Sequence, residues 1–207
     1  MIDPTDLSAL DRYRLLTGTI VPRPIAWITS VGTETAEEIV NLAPFSFFQG
    51  VTATPATVMV CIAHRDPEKD TLANLRATGE AVIHLVPPAL LDAMHASGAE
   101  YPRTVSEAKV LGLSTVPSER VRPPRLVGTQ VAFEVRVASI TPVGTPPTSL
   151  VLLEVVGVHL DPGITAADGL PDPARLRTVA RLGGDHYLDP TTWSLLHRAR
   201  QRRPPSA

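Results

Sequence analysis

The chain has 207 residues, 43% of them hydrophobic, which suits one domain with a sizeable core. Its formal net charge is -2, from 19 Lys and Arg against 21 Asp and Glu. That balance gives no broad attraction to nucleic acid or to an anionic membrane surface, so any bound anion needs a local site.

The first segment, to about Arg14, is polar and helix-prone. Pro22-Arg23-Pro24 forces extended backbone and feeds a run over 25–31 of β-branched, aromatic and small polar residues, which reads as a strand. Gly32-Thr33-Glu34-Thr35 reads as a turn, after which 39–43 pairs back as a hairpin. A third strand covers 57–64. Within it Cys61, the single cysteine, reads as a small buried hydrophobe. One cysteine allows no intrachain disulfide and fits a reducing compartment.

Arg65-Asp66-Pro67-Glu68-Lys69-Asp70 is a loop leading into a short helix over 71–78. Asp70 is its expected N-cap, Leu72 and Leu75 its apolar face, and Gly79 its stop. A strand over 81–86 ends at Pro87-Pro88, 90–95 is helical, and a second helical piece lies at 105–110 within an irregular stretch. Two long strands, 130–140 and 149–160, alternate at period 2. The tail over 198–207 is basic, Pro-rich and expected to be disordered. Strands joined largely by short turns make the chain mainly β, an antiparallel barrel with short peripheral helices. No stretch combines a cationic start with the apolar run of a leader, and none approaches the ~20 apolar residues of a membrane span. The expected location is the cytoplasm, with no membrane and no nucleic-acid partner.

His64, His84, His95, His159, His186 and His197 show no metal-ligand spacing, so each reads as a strand or surface residue and no metal is expected. Nucleophile-elbow, P-loop and dinucleotide-fold motifs are missing, and no residue declares itself catalytic. What remains is a set of small polar residues at strand ends and a cationic loop. Thr29 and Ser30 close the first strand; Asn41 and Ala43-Pro44-Phe45-Ser46-Phe47-Phe48 close the second; Arg65, Lys69, Asp70 and Thr71 sit at the helix start. Free N–H groups and the positive end of a helix stabilise phosphate, and Arg, Lys and hydroxyl donors satisfy its oxygens. Taken bare, the same residues fit N-capping and ordinary turn chemistry equally well.

Their order and wording go further. Arg23-Pro24-Ile25-Ala26-Trp27-Ile28-Thr29-Ser30, then Asn41 to Phe48, then Lys69-Asp70-Thr71-Leu72-Ala73-Asn74 with Thr78-Gly79-Glu80, and later Arg181-Leu182-Gly183-Gly184 with Tyr187, closely resemble the flavin reductase-like, FMN-binding split-barrel family. The likeness spans about residues 12 to 190. It implies a single FMN-binding domain over 1–190 with a tail over 191–207, folded as a six-stranded split β-barrel and working as a homodimer. By position, Thr29, Ser30, Asn41, Ala43 and Ser46 would contact the flavin, and Arg65, Lys69 and Thr71 would hold its phosphate, with Asp70 capping the helix. Gly183, Gly184 and Tyr187 would close over the ring from the partner subunit. Trp27 either stacks near the cofactor or packs in the barrel or interface; packing is the expectation, as it is for at least two of Phe45, Phe47 and Phe48. The chain departs from the family pattern in three places: 33–39 lacks a glycine before Asn41, His84 stands where Asn is frequent, and Ala56 replaces the second proline of a pair. The implied activity is NAD(P)H:flavin reduction, hydride passing to flavin N5 with NAD(P)H as co-substrate and a partner oxygenase or electron acceptor downstream. A flavoredoxin-like electron carrier and a flavin-dependent oxidase or oxygenase of a small organic substrate are the alternatives.

Overall fold

The computed structural model describes residues 1–33 and 39–192. The expected turn residues Glu34 and Thr35, His197 and the tail over 198–207 lie outside the described residues. Among the described residues, seven strands form one antiparallel sheet: β1 (Ala26–Val31), β2 (Val40–Phe45), β3 (Phe48–Ala53), β4 (Ala56–Ile62), β5 (Glu80–Leu85), β6 (Val131–Val143) and β7 (Thr148–Leu160). Their spatial order is β2-β1-β5-β6-β7-β4-β3. The two edge strands are consecutive in sequence, separated by Ser46 and Phe47 alone, and the Cys61 amide donates to the Phe47 carbonyl at 2.8 Å. The sheet curls until its edges meet at this corner, which makes a split barrel.

Side-chain alternation explains the two layers of core. Ala26 and Ile28 of β1 point into the barrel beside Phe45, Phe48, Ile83 and Val135. Ile25 and Trp27 point the other way, into a second cluster with Leu42, Met94 and Ala108. This outer layer is roofed by helices α3 (Leu91–Ala96) and α4 (Glu107–Val110). With both faces covered, β1 is buried along its whole length, so its apolar run is nearly continuous. Trp27 is therefore a packing residue, but outside the barrel: its indole Nε1 donates to the Ser97 hydroxyl at 2.9 Å. Phe45 and Phe48 are also core residues.

The sheet has one strand more than the six expected. The extra strand, β3, has only Phe48 buried and an exposed run thereafter, so it carries no alternation for a sequence reading to detect. The long pair β6 and β7 shifts register at Leu152/Leu153 and again at Val155/Gly157, and such bulges add twist. Cys61 is half-buried on β4, and burial pushes its thiol pKa up.

Two buried polar residues lock the outer layer. His84 is fully buried; its Nδ1 lies 2.9 Å from the Trp27 carbonyl, and the Leu126 amide donates to its Nε2 at 3.0 Å. That pairing fixes a neutral ring with the proton on Nδ1, and burial holds its pKa down at about 4. Glu134, also fully buried, accepts the amides of Glu119 at 2.8 Å and Arg120 at 2.5 Å, and lies 2.5 Å from His159 Nε2. Burial alone raises its pKa, but these hydrogen bonds prevail and keep the carboxylate below its ordinary value. It fastens the loop before residue 126 to β6.

Helix α1 (Ala9–Thr19) starts at Ser8, whose hydroxyl caps the Asp11 amide at 3.1 Å. Helix α2 (Asp70–Thr78) ends on Gly79, whose φ of 71° is the left-handed conformation that glycine adopts without strain. Its beginning differs from expectation. Lys69 is the N-cap and makes no side-chain cap bond, while Asp70 is the first helical residue. From inside the first turn its carboxylate no longer reaches the free amides as a cap does; it faces Arg103 Nε at 3.5 Å instead. A negative charge there still complements the helix dipole.

Candidate functional site

A cavity of about 310 Å³ lies where β2, the start of α2 and the segment after α3 converge. Asn41, Ala43 and Phe45 line it from one face of β2, as successive alternate residues must. Arg65, Lys69, Asp70 and Thr71 form one bank; Gly98, Glu100, Tyr101 and Arg103 form the other, with Glu107 among the lining residues.

A small hydrogen-bond network fixes the floor. The Asn41 amide nitrogen donates to the Ser30 hydroxyl at 3.1 Å and to the Thr71 hydroxyl at 2.9 Å, and Asn74 donates to Ser30 at 3.1 Å. All four residues are buried, so this network ties the strand ends to the first turn of α2. The Leu72 and Ala73 amides bond back to the Lys69 carbonyl, and Lys69, Asp70 and Thr71, the first residues of this turn, line the cavity. Beside them Lys69 Nζ sits 5.6 Å from the centre of the Phe45 ring. Burial first, then the neighbouring Arg65 charge, lower the Lys69 pKa, with Glu100 opposing. Lys69 is half-buried and Arg65, paired with Glu100, is exposed; two cations this close favour an anion beside them. Glu107, buried to 6% exposure, accepts the Leu42 amide at 2.8 Å. Burial pushes its pKa up, with nearby Asp70 adding to the effect.

The structure thus brings together Asn41, Ala43, Arg65, Lys69, Asp70 and Thr71 at one cavity and leaves the other expected residues outside its lining. Ser30 stands behind Asn41 as its support. Thr29 faces the outer layer, its hydroxyl donating to the Pro124 carbonyl at 2.7 Å. Ser46 lies at the barrel corner, 3.5 Å from Arg23 Nε. Gly183 packs on the end of α1, where an added Cβ would fall 3.1 Å from Gly18 Cα, and Gly184 takes φ 59° in a turn. Near it Tyr187 bonds to Arg181 and, at 2.8 Å, to His95 Nδ1.

Sequence reasoning missed two features. Arg23, buried to 6% exposure, donates to the carbonyls of Thr17 at 2.6 Å, Ile20 at 2.9 Å and Leu182 at 2.9 Å. It joins the end of α1 to the chain before Gly183, and the Arg-Pro spelling of the motif was the available signal. The second is the bank over 97–103, which has no periodicity and so no signature. Among the described residues no group of three or more His, Cys, Asp and Glu side chains is placed to hold a metal, and no helix is long and apolar enough to cross a membrane.

Comparison with known proteins agrees with this architecture. Residues 17–177 match the family described as flavin reductase like domain. An uncharacterized protein of Halalkalibacterium halodurans is 34% identical over 193 residues, covering 90% of each chain. Nitrilotriacetate monooxygenase component B from Bacillus cereus superposes with a TM-score of 0.86 at 29% identity, over 97% of this chain and 98% of the other. The 2-nitrobenzoate 2-nitroreductase NbaA of Pseudomonas fluorescens gives 0.86 at 25% identity over 100% of both. A split barrel matched along most of its length, by family and by structure, places this chain in the flavin reductase-like family.

Proposed function

We propose that the protein is an FMN-dependent NAD(P)H:flavin reductase whose cavity at the start of α2 holds the phosphate end of the cofactor. The observation that carries this reading is the donor set itself: Lys69, Arg65 and Thr71 line one cavity at the start of α2, where a helix favours an anion. Among the described residues no carboxylate pairs with Lys69, so its charge is available to a ligand. Bound FMN supplies a ring that takes a hydride from NAD(P)H at N5 and releases electrons onward. The chain's own residues bind and orient: Asn41 holds Thr71 toward the phosphate, and Ala43 leaves space along β2 for the ribityl chain. Ser46, at the corner, and the loop at Gly183 and Gly184 would serve the ring end, with Ser30 supporting Asn41 from behind. The similar structures, a monooxygenase component and a nitroreductase, support a redox role with an electron acceptor or partner oxygenase downstream.

A cavity of about 310 Å³ is at the small end of ligand sites. We propose that a second copy of the chain completes it. Helix α1 leaves Leu10, Tyr13, Leu16 and Ile20 exposed at three- and four-residue spacing, and β3 is an uncovered sheet edge. Light scattering on the 22.2 kDa chain should give a dimer mass; a monomer would contradict this part of the reading. The activity is tested by spectra of the purified protein with FMN, then with NADH or NADPH under anaerobic conditions. Flavin bands that appear on binding and bleach on adding nicotinamide are expected. Bands that persist would favour the electron carrier, and failure to bind FMN would overturn the proposal.

A further inference from the structure

We infer that the segment over 97–106 is a fixed stop at the phosphate end of the cavity. Through Glu100, it makes the site select a flavin ending in a phosphate monoester over one extended by a second phosphate and a nucleoside. The inference rests on the flavin reading above and adds which flavin tail is admitted, and by what.

The two banks of the cavity are bridged twice. Arg65 Nη2 meets Glu100 Oε2 at 2.7 Å, and Arg103 Nε meets Asp70 Oδ1 at 3.5 Å. Both pairs stand at the start of α2, where a phosphate would end. The segment carrying Glu100 and Arg103 is bolted down on each side. At one end Ser97, 2% exposed, accepts the Trp27 indole and donates to the Met94 carbonyl at 2.8 Å. Gly98 follows so closely that a Cβ there would fall 3.2 Å from the His95 carbonyl and 3.3 Å from Pro44 Cγ. At the other end the Ser106 hydroxyl donates to the Val40 carbonyl at 2.8 Å, and Glu107 takes the Leu42 amide. Both anchorages are to β1, β2 and α3, so this bank is a wall and not a swinging flap.

Between these anchors Gly98, Ala99, Glu100, Pro102, Arg103 and Thr104 are exposed, the Glu100 side chain to 74%. An ion pair this exposed adds little to stability, so its consequence is in recognition. A monoester carries about -1.5 to -2 charges and three terminal oxygens, all of which the donors at Lys69 and Thr71 can receive without crossing the seam. A diphosphate must continue between the banks. There its second phosphate meets the Glu100 carboxylate, already seated on Arg65, as a like charge.

The test is the affinity of the full chain for riboflavin, FMN and FAD, read by flavin fluorescence, for the wild type, Glu100→Gln and Glu100→Ala. The wild type should favour FMN over FAD by about thirtyfold or more, and both variants should narrow that gap by about tenfold while riboflavin affinity holds. A ratio of two ligands on one variant does not depend on how much of it is folded. An FMN to FAD ratio unmoved in both variants, or FAD bound as tightly as FMN by the wild type, would overturn the inference while leaving the flavin site standing. Binding of no flavin at all would overturn the flavin reading, and this inference with it.

Discussion

His84 shows how a single side chain can be settled by its neighbours. Its folded pKa of about 4 lies below the model-peptide value of about 6.5, so the folded protein resists the proton that the unfolded chain accepts. Its contribution is complete above pH 6.5 and is lost as pH falls toward 4. Over that window stability should drop by about 3 kcal/mol, and urea melts of wild type and His84→Asn against pH should show the dependence in the wild type only. Thr71 makes the second residue-level test. Thr71→Val removes a hydroxyl held by Asn41 at the cavity, and FMN affinity should weaken about tenfold while riboflavin affinity stays within about twofold, by titration. Residue placement was legible where a motif spelled it: Arg65, Lys69 and Thr71, expected to hold a phosphate, and Asn41 and Ala43, expected along the flavin, line one cavity. His84 was not, because a buried histidine between a carbonyl and an amide leaves no pattern along the chain. Its partners are Trp27 and Leu126, far away in sequence.

Elements with strong local rules matched their expectation. Helix α2 was foreseen from Leu72, Leu75 and Gly79, and the two long strands from alternation. Its N-cap was misplaced by one residue, because Asp has a high capping preference and only the backbone decides whether it stands before the helix or in it. Strand β3 and the bank over 97–103 were illegible for different reasons. β3 pairs with the very next strand but is exposed beyond Phe48 and so has no alternation, whereas the bank is specified by the distant Trp27, Pro44 and Val40. Gly79→Ala should cost about 1 kcal/mol by forcing a Cβ into the left-handed region, seen as a lower urea midpoint with an unchanged slope. Glu134→Ala should cost more, about 3 kcal/mol, because two amides and a histidine lose their acceptor. Faster amide exchange at Glu119 and Arg120 would localise the loss to their loop.

At the scale of the molecule the apolar stripe on α1 is the feature that a lone subunit does not explain. Leu16→Glu places a charge in its middle, at a side chain that is half exposed and so not needed for the subunit's own core. If the proposed dimer forms through this stripe, sedimentation should show monomer at concentrations where the wild type sediments as a dimer, with FMN bound at least about tenfold more weakly. A dimeric variant with unchanged affinity would move the interface elsewhere.

The corner at Ser46 and Phe47 has a mechanical meaning. The backbone that leaves one edge of the sheet re-enters at the other within two residues, so the wall of the cavity and the seam of the barrel are one length of chain. A ligand gripping β2 therefore acts as a clasp on a hoop. A ligand at a hundredfold its Kd stabilises the folded form by about 2.7 kcal/mol, and here the gain would be felt first where the hoop closes. The Cys61 amide, whose bond to Phe47 carries the β3–β4 ladder up to that corner, becomes a local gauge of occupancy, its exchange with solvent slowing as the clasp is filled.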